Sequence, residues 1–429
     1  MNPTETVLVI GSGIAGMEAS LMLSKAGKKV FLVERLPLIG GNVIKTGESF
    51  PNMECSTCLV APIQQEILQD SNIEVLTVSD IISISGKAGD FAISVRKRAR
   101  YVNIGACLGC GMCYPVCPVT QPNNWEQNLV EKKAIFVECA GSLPNVPVID
   151  PALCLRLNGG EECNLCMEAC MFGAIDFSEK EEILEINAGA VIVAAGFETI
   201  DAKEIENLGY GKYPGVFTAY ELERLLASNG PTEGKLRMRD GETKPGRVAI
   251  IHCAGRDKVG YCSNVCCSYS ARHAHFMKEK LPEVEIFDIY SDLCLPDKHY
   301  QKLNTEIRNG TSSYIYQSDI AKMKIEELED KLLIQYLNEQ EAEVSLEVDM
   351  LILTVAIKPA AGLEELADLL EIEIDKYGFI KTAAGEIGSV CTSRSGIFVA
   401  GCAEGPKDIP CSVLQSEAAV AQVMRLLES

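Results

Sequence analysis

Between residues 107 and 170 the chain carries two groups of thiols whose spacing suits iron. The run C-L-G-C-G-M-C-Y-P-V-C-P sets Cys107, Cys110, Cys113 and Cys117 at x2, x2 and x3 intervals, with Pro118 directly after the last. Three thiolates so close can wrap one corner of a cubane, while the fourth, stiffened by proline, is aimed at a second cluster. A second group follows at Cys154, Cys163, Cys166 and Cys170, with its first gap stretched and Met171 where proline is usual. The crossed rule of two-cluster ferredoxins assigns Cys107, Cys110, Cys113 and Cys170 to one cluster and Cys117, Cys154, Cys163 and Cys166 to the other. Zinc and disulfides are the alternatives, but zinc sites rarely use four cysteines at such tight intervals. Cys139, between the groups and without a motif partner, reads as a packed thiol.

A third set stands in C-A-G-R-D-K-V-G-Y-C-S-N-V-C-C, where Cys253, Cys262, Cys266 and Cys267 share one short stretch. Four thiols so close point to a metal site, although adjacent cysteines match no ordinary ferredoxin pattern; a cysteine-rich core turn is the alternative. Cys55 and Cys58 form a C-x2-C that is open to three readings: a redox dithiol, two half-buried thiols, or ligands completed by another chain. His252, His273 and His275 flank the third set without completing it and read as surface or supporting groups.

The elements that must position these thiols are those of a nucleotide fold. An apolar strand, Thr6 to Ile10, leads into Gly11-Ser12-Gly13-Ile14-Ala15-Gly16 and a helix with Ile14, Met17 and Leu21 on one face. The glycines permit a tight turn, close backbone approach to a pyrophosphate and packing of helix on strand. A second strand, Val30 to Val33, ends in Glu34, whose carboxylate can accept both ribose hydroxyls and argues against a ribose phosphate. Gly40-Gly41-Asn42 forms a loop, and Val191 to Gly196 and Gly396 to Gly401 are buried strands ending in small residues. A chain that returns twice to its first nucleotide unit follows the two-dinucleotide flavoprotein plan, which favours FAD; ordinary parallel core strands are the alternative. Strands Ile73 to Thr77 and Phe91 to Arg96 precede the ferredoxin-like stretch, making it an insertion held at both ends. Residues Asp201 to Pro245 read as a turn-rich crossover with one helix, Ala219 to Ala227. Arg247 to His252, Ser268 to Lys280 and Val284 to Tyr290 open a second dinucleotide-type unit in which the cysteines replace the phosphate-binding glycines. Pro359 to Lys381 reads as a polar crossover and Glu339 to Glu347 as a solvated hairpin.

Composition allows all of this. The 429 residues, 47% hydrophobic and 23% charged, can bury a full core and suggest two or three units. The 39 basic against 60 acidic residues, a net charge of −21, disfavour nucleic acid. No apolar run reaches the length of a membrane span, and with no leader segment the 19 cysteines point to metal in a reducing cytoplasm.

The chain resembles the A-subunit family of CoB–CoM heterodisulfide reductase, together with related flavin subunits of quinone-interacting and electron-bifurcating complexes. The motifs that carry the resemblance are G-S-G-I-A-G at 11, E-C-S-T-C at 54, the inserted C-x2-C-x2-C-x3-C-P, the third cysteine set and G-C-A-E-G-P-K-D-I-P at 401. The resemblance implies an α/β fold, a thioredoxin-reductase-like two-dinucleotide-domain flavoprotein with an inserted two-cluster ferredoxin domain. It implies a third, irregularly ligated cubane on Cys253, Cys262, Cys266 and Cys267, and it sets Lys407, Asp408 and Ile409 beside the flavin, where a cation stabilises an anionic reduced ring. The sequence ends one helix later, at Ser429, as in a short form without a C-terminal ferredoxin domain.

The expected divisions are 1–100 and 181–245 for the FAD domain and its crossover, 101–180 for the insertion, 246–355 for the second unit and 356–429 for the FAD-domain return. The residues expected at FAD are Gly11, Gly13, Ile14, Ala15, Gly16, Glu34, Arg35, Gly41, Asn42, Ala195, Gly196, Gly401, Asp408, Ile409 and Lys407, the last as the catalytic candidate. The expectation is a cytoplasmic subunit that pairs FAD with three 4Fe-4S clusters. It would pass electrons linearly or by bifurcation among heterodisulfide reductase B/C-like or quinone-interacting subunits and ferredoxin, as a homodimer within a larger assembly. A stand-alone NADH-dependent disulfide reductase using Cys55 and Cys58, and a non-catalytic electron-relay module, are the rival expectations.

Overall fold

Five strands that read as apolar runs form the first sheet, in the spatial order Ile397–Val399, Ala190–Val193, Thr6–Ile10, Lys29–Val33, Ile73–Leu76, all parallel. Their side chains are almost all buried because helices and a second layer cover both faces, which is why no polar alternation marks them. The computed structural model describes residues 5–159, 162–296, 298–308, 310–383 and 389–428. Helix Ile14–Lys25 lies on one face and packs against the long helix Ile409–Leu427, so the end of the described chain closes over its beginning. Ser416 Oγ makes that closure directional, donating to the carbonyl of Ala15 at 2.9 Å.

A second parallel sheet has the order Val216–Thr218, Met350–Val355, Arg247–Ala254, Glu285–Tyr290, Ser313–Tyr316. The expected crossover 201–245 therefore contributes a strand to the second unit, which begins earlier than residue 246. Three residues between turns are too few to show a period, so the strand was not legible. The helix that follows it, Ala219–Leu226, starts with a capping box: Glu221 N donates to Thr218 Oγ1 at 3.2 Å and Thr218 N to Glu221 Oε2 at 2.7 Å. The supposed polar crossover 359–381 also holds a helix, Leu363–Leu370. The acidic stretch 339–347 is the turn and second strand of a hairpin, Lys331–Leu337 against Glu343–Val348.

The cysteine-bearing insertion leaves the first unit from strand Asp90–Lys97 and returns on strand Glu182–Ala188, and these pair antiparallel from Lys97 opposite Glu182 to Phe91 opposite Ala188. Its two ends are thus locked side by side. Arg100, buried, stitches it to the first unit by donating to Val146 O at 2.8 Å, Pro37 O at 2.6 Å and Thr77 Oγ1 at 2.8 Å. Glu126 meets buried Arg224 of the second unit in a two-bonded pair, at 2.8 and 2.9 Å. Such bidentate, desolvated contacts fix orientation as well as distance. The insertion is consequently held against both units.

Of the histidines expected at the surface or in support, His252 and His273 are buried, which excludes the surface for both. His252 and His273 are 1% and 0% exposed, while His275 remains open to solvent. His252 Nε2 meets Asp288 at 2.9 Å, and His273 Nε2 lies 3.1 Å from Glu223, 3.2 Å from Arg272 and against the Tyr269 ring. Burial, and then the neighbouring Arg272 cation, hold the His273 imidazole well below its usual range against the opposing pull of Asp288. The folded ring therefore stays neutral where an unfolded one, near pKa 6.5, takes a proton. Stability is expected to fall as pH drops below about 6.5, by up to about 1.4 kcal/mol per pH unit from this group. His273→Gln should flatten that acid limb in urea titrations run at stepped pH; an unchanged limb would assign the acid sensitivity elsewhere.

Candidate functional site

At the first βα turn the glycines do what their lack of a side chain allows. Gly11 has φ +99°, and a Cβ there would stand 2.3 Å from Ala194 O; a Cβ on Gly16 would stand 1.8 Å from Gly11 O. These two let strand, helix and the returning strand Ala190–Val193 touch. Gly13 differs, since a Cβ there would meet only Gly41 Cα, at 4.0 Å. Gly13 caps helix Ile14–Lys25 without a side-chain hydrogen bond, so the first helical N–H groups are left for an anion. Gly13→Val is accordingly expected to release flavin while leaving the fold in place, whereas Gly16→Val should unfold the unit. Flavin retained by Gly13→Val, measured by absorbance after gel filtration, would sink that assignment.

Glu34 stands beside this turn and is already engaged: Oε2 accepts from Ser12 N at 2.9 Å and Ser12 Oγ at 2.6 Å, and Oε1 accepts from Leu36 N at 2.8 Å. The carboxylate is oriented, with lone pairs to spare for hydroxyl donors. Arg35, the next residue, donates to Ala361 O at 2.9 Å and pairs with Asp80 at 3.3 Å.

A cavity of about 440 Å³ lies between the two sheets, lined among others by Asn42, Phe197, Tyr220, Cys266, Lys407 and Asp408. Asn42 Nδ2 donates to Phe197 O at 3.0 Å across the link between the units. Ile409 opens helix Ile409–Leu427 at the same wall, where Asp408 caps it by accepting from Cys411 N at 2.8 Å. Lys407 lines the cavity too, but its ammonium donates to Gly401 O, Glu404 Oε2 and Gly405 O at 2.8 to 2.9 Å. All three of its protons are engaged, so it offers charge to the cavity and no free proton. Ala195 and Gly196 follow the returning strand with open space above Gly196.

In the insertion, Cys107, Cys110, Cys113 and Cys170 surround one small cavity, and Cys117, Cys154, Cys163 and Cys166 surround another that Pro118 also lines. The thiols have crossed between the two sequence runs. Burial pushes the Cys113 thiol up to about 12 and the Cys166 thiol up to about 11. Metal binding at these sulfurs would have to release protons. Backbone N–H groups already point at sulfur, Gly109 N to Cys107 at 3.4 Å and Ala174 N to Cys170 at 3.3 Å. Among the described residues no three His, Cys, Asp or Glu side chains converge as a single metal ion requires. Each of the two sets stands around its own cavity and offers the four thiolates that a cubane would take.

The third set is spread over two elements. Cys253 stands one residue before the end of strand Arg247–Ala254, at an irregularity between Ile251 and Ala254, with φ +56°, while Cys266 and Cys267 begin helix Cys266–Lys280. A bulge of this kind re-aims a side chain. Cys253 is hydrogen-bonded to both Cys266 and Cys267, which draws its thiol down and raises theirs. Sequence reading missed Cys294, which lies beside Cys262 and donates its backbone N–H to Cys267 Sγ at 3.4 Å. The available signal was its position just after Glu285–Tyr290, the strand paired with the one that carries Cys253. Cys55 caps helix Ser56–Gln69 by accepting from Cys58 N at 3.4 Å, and both thiols are exposed outside the cavity.

Fold and cleft together define the class of FAD-dependent oxidoreductases. Residues 6–79 match the family model described as FAD dependent oxidoreductase. Thioredoxin reductases of T. acidophilum and Lactococcus lactis share the architecture at TM-score 0.54, with 13% and 14% identity, covering 99% of this chain and 100% and 99% of theirs.

Within that class the chain belongs to the A-subunit family of heterodisulfide reductase. It is 35% identical over 98% of its length to the iron-sulfur A-subunit of the CoB–CoM heterodisulfide reductase of Methanocaldococcus jannaschii. To the second such A-subunit of Methanopyrus kandleri it is 37% identical over 99%. It is 34% identical over 97% to the A-subunit of the H(2):CoB-CoM heterodisulfide,ferredoxin reductase of Methanothermobacter marburgensis. The chain spans 63–64% of the length of these relatives. Among the described residues no helix is long and apolar enough to cross a membrane.

Proposed function

We propose that the chain is the FAD and iron-sulfur electron-transfer subunit of a heterodisulfide-reductase-like complex. The observation that carries this reading is the sorting of eight insertion cysteines into two crossed sets of four, on a body bolted to both nucleotide-type units. Gly13 admits the pyrophosphate at the turn that Gly11 and Gly16 make possible, and Glu34 receives the ribose. The flavin ring occupies the cavity between the sheets, where the Lys407 charge favours its anionic form and Cys266 forms part of the opposite wall. Bound FAD would exchange electron pairs and the clusters would carry electrons singly. The chain's own contribution is to keep these centres at fixed separations and to exclude water from the cavity. Ferredoxin and heterodisulfide reductase B/C-like or quinone-interacting subunits are the partners this reading implies, with a homodimer at the centre and a cytoplasmic setting. Cysteines where the second unit would need a glycine-rich phosphate turn favour it over an NADH-dependent disulfide reductase.

Protein purified without oxygen should hold one FAD and about twelve iron atoms, four for each set of four thiols. About eight would remove the third set from the account, and zinc in place of iron would overturn it. Photoreduction followed by electron transfer to a low-potential ferredoxin separates this reading from a module in which FAD is only structural.

A further inference from the structure

We propose that the third cysteine site has five thiols for four places, and that Cys294 shares the solvent-side place with Cys262. This rests on reading Cys253, Cys262, Cys266 and Cys267 as the holders of an iron-sulfur group. Cys253, Cys266 and Cys267 are 6%, 5% and 3% exposed, and Cys253 is hydrogen-bonded to the other two. They form a fixed inner triangle. Cys262 and Cys294 are both half-buried and interact with each other on the open side. A cubane takes four thiolates, so three places are settled and two sulfurs compete for the last.

The surrounding contacts treat the two sulfurs alike. Asn264, in the left-handed region at φ +63°, donates its backbone N–H to Cys262 Sγ at 3.3 Å and accepts the Cys294 thiol at its Oδ1, 3.0 Å away. The segment carrying Cys294 is not a passing loop. Asp292 pairs with Arg256 at 2.7 Å, its carbonyl receives the Cys267 thiol at 3.6 Å, and Cys294 N donates back to Cys267 Sγ. Parallel pairing of Arg247–Ala254 with Glu285–Tyr290 delivers both cysteine-bearing ends to the same edge. Exchange at the open corner conserves charge: the departing sulfur takes up the proton that the arriving thiol gives up. One thiol can then be lost to oxidation or alkylation without losing the group.

The test uses the full chain, purified without oxygen, as Cys262→Ala, Cys294→Ala, the double variant and Cys266→Ala. Each outer single is expected to keep about twelve irons, with the reduced-state electron paramagnetic resonance of the third group shifted differently in the two because the remaining ligand differs. The double variant and Cys266→Ala should both fall to about eight. Retained flavin absorbance and far-ultraviolet circular dichroism show that each variant is folded. Loss of four irons by either outer single overturns the sharing. Twelve irons retained in both Cys266→Ala and the double variant would overturn the metal reading beneath it, an outcome recognisably different from the first.

Discussion

Arg272→Met, with Glu223 left in place, is expected to destabilise the chain by about 3–5 kcal/mol, the usual consequence of removing one partner from a buried ion pair. Arg272 is 0% exposed and pairs with Glu223, itself 4% exposed, while its second amino group donates to Glu48 O. Glu223 in turn accepts from Gly47 N at 3.1 Å and lies beside His273. Helix Cys266–Lys280, helix Ala219–Leu226 and the 47–48 segment of the first unit therefore meet at one buried charge pair. Removing the cation strands a carboxylate in a site that water cannot reach. Removing both charges as Arg272→Met with Glu223→Gln should recover much of the loss, since a well-packed neutral pair of similar volume is often close to neutral in stability. Urea midpoints followed by flavin fluorescence provide the comparison. A double variant as unstable as the single one would mean that packing of the Arg272 side chain, and not its charge, holds the junction.

This junction also marks where sequence reading stopped. The nucleotide turn was legible because its strand, its glycines and Glu34 lie within one βαβ unit, and local spacing alone specifies what backbone can approach what ligand. The crossed grouping of Cys117 and Cys170 around the two cavities was legible for the same reason, through Pro118 and the tight intervals. The burial of Arg272 and His273 was not legible, since their partner Glu223 comes from another helix by way of the crossover strand Val216–Thr218. Cys294 was hidden by the same physics, being brought to Cys262 by strand pairing rather than by spacing. Lys407 shows a different limit. Its charge and place on the cavity wall follow from the motif, but the direction of its ammonium depends on Glu404 and the carbonyls of Gly401 and Gly405.

NADH is expected neither to bind tightly to the isolated chain nor to bleach its flavin when the two are mixed by stopped flow without oxygen. A nicotinamide cofactor in the second unit would lay its pyrophosphate where strand Arg247–Ala254 hands over to the next long helix, on backbone N–H groups left bare by glycine. Here Cys253 stands one residue before the strand's end, a four-residue turn of helix follows at Arg256–Val259, and the first turn of helix Cys266–Lys280 carries Cys266 and Cys267 themselves. The helix N-terminus is thus spent on sulfur, where its dipole favours thiolates. Any anionic thiolate group there also opposes a diphosphate, by roughly 4 kcal/mol for each like-charged pair about 4 Å apart at an effective dielectric near 20. Loss of space and charge repulsion act together, and even one pair at that strength lowers affinity by about three orders of magnitude. Electrons then have to reach the flavin through a protein partner or through the cysteine sites. Rapid bleaching by NADH with the chain alone would sink this expectation and restore the disulfide-reductase reading, with exposed Cys55 and Cys58 as the first residues to replace.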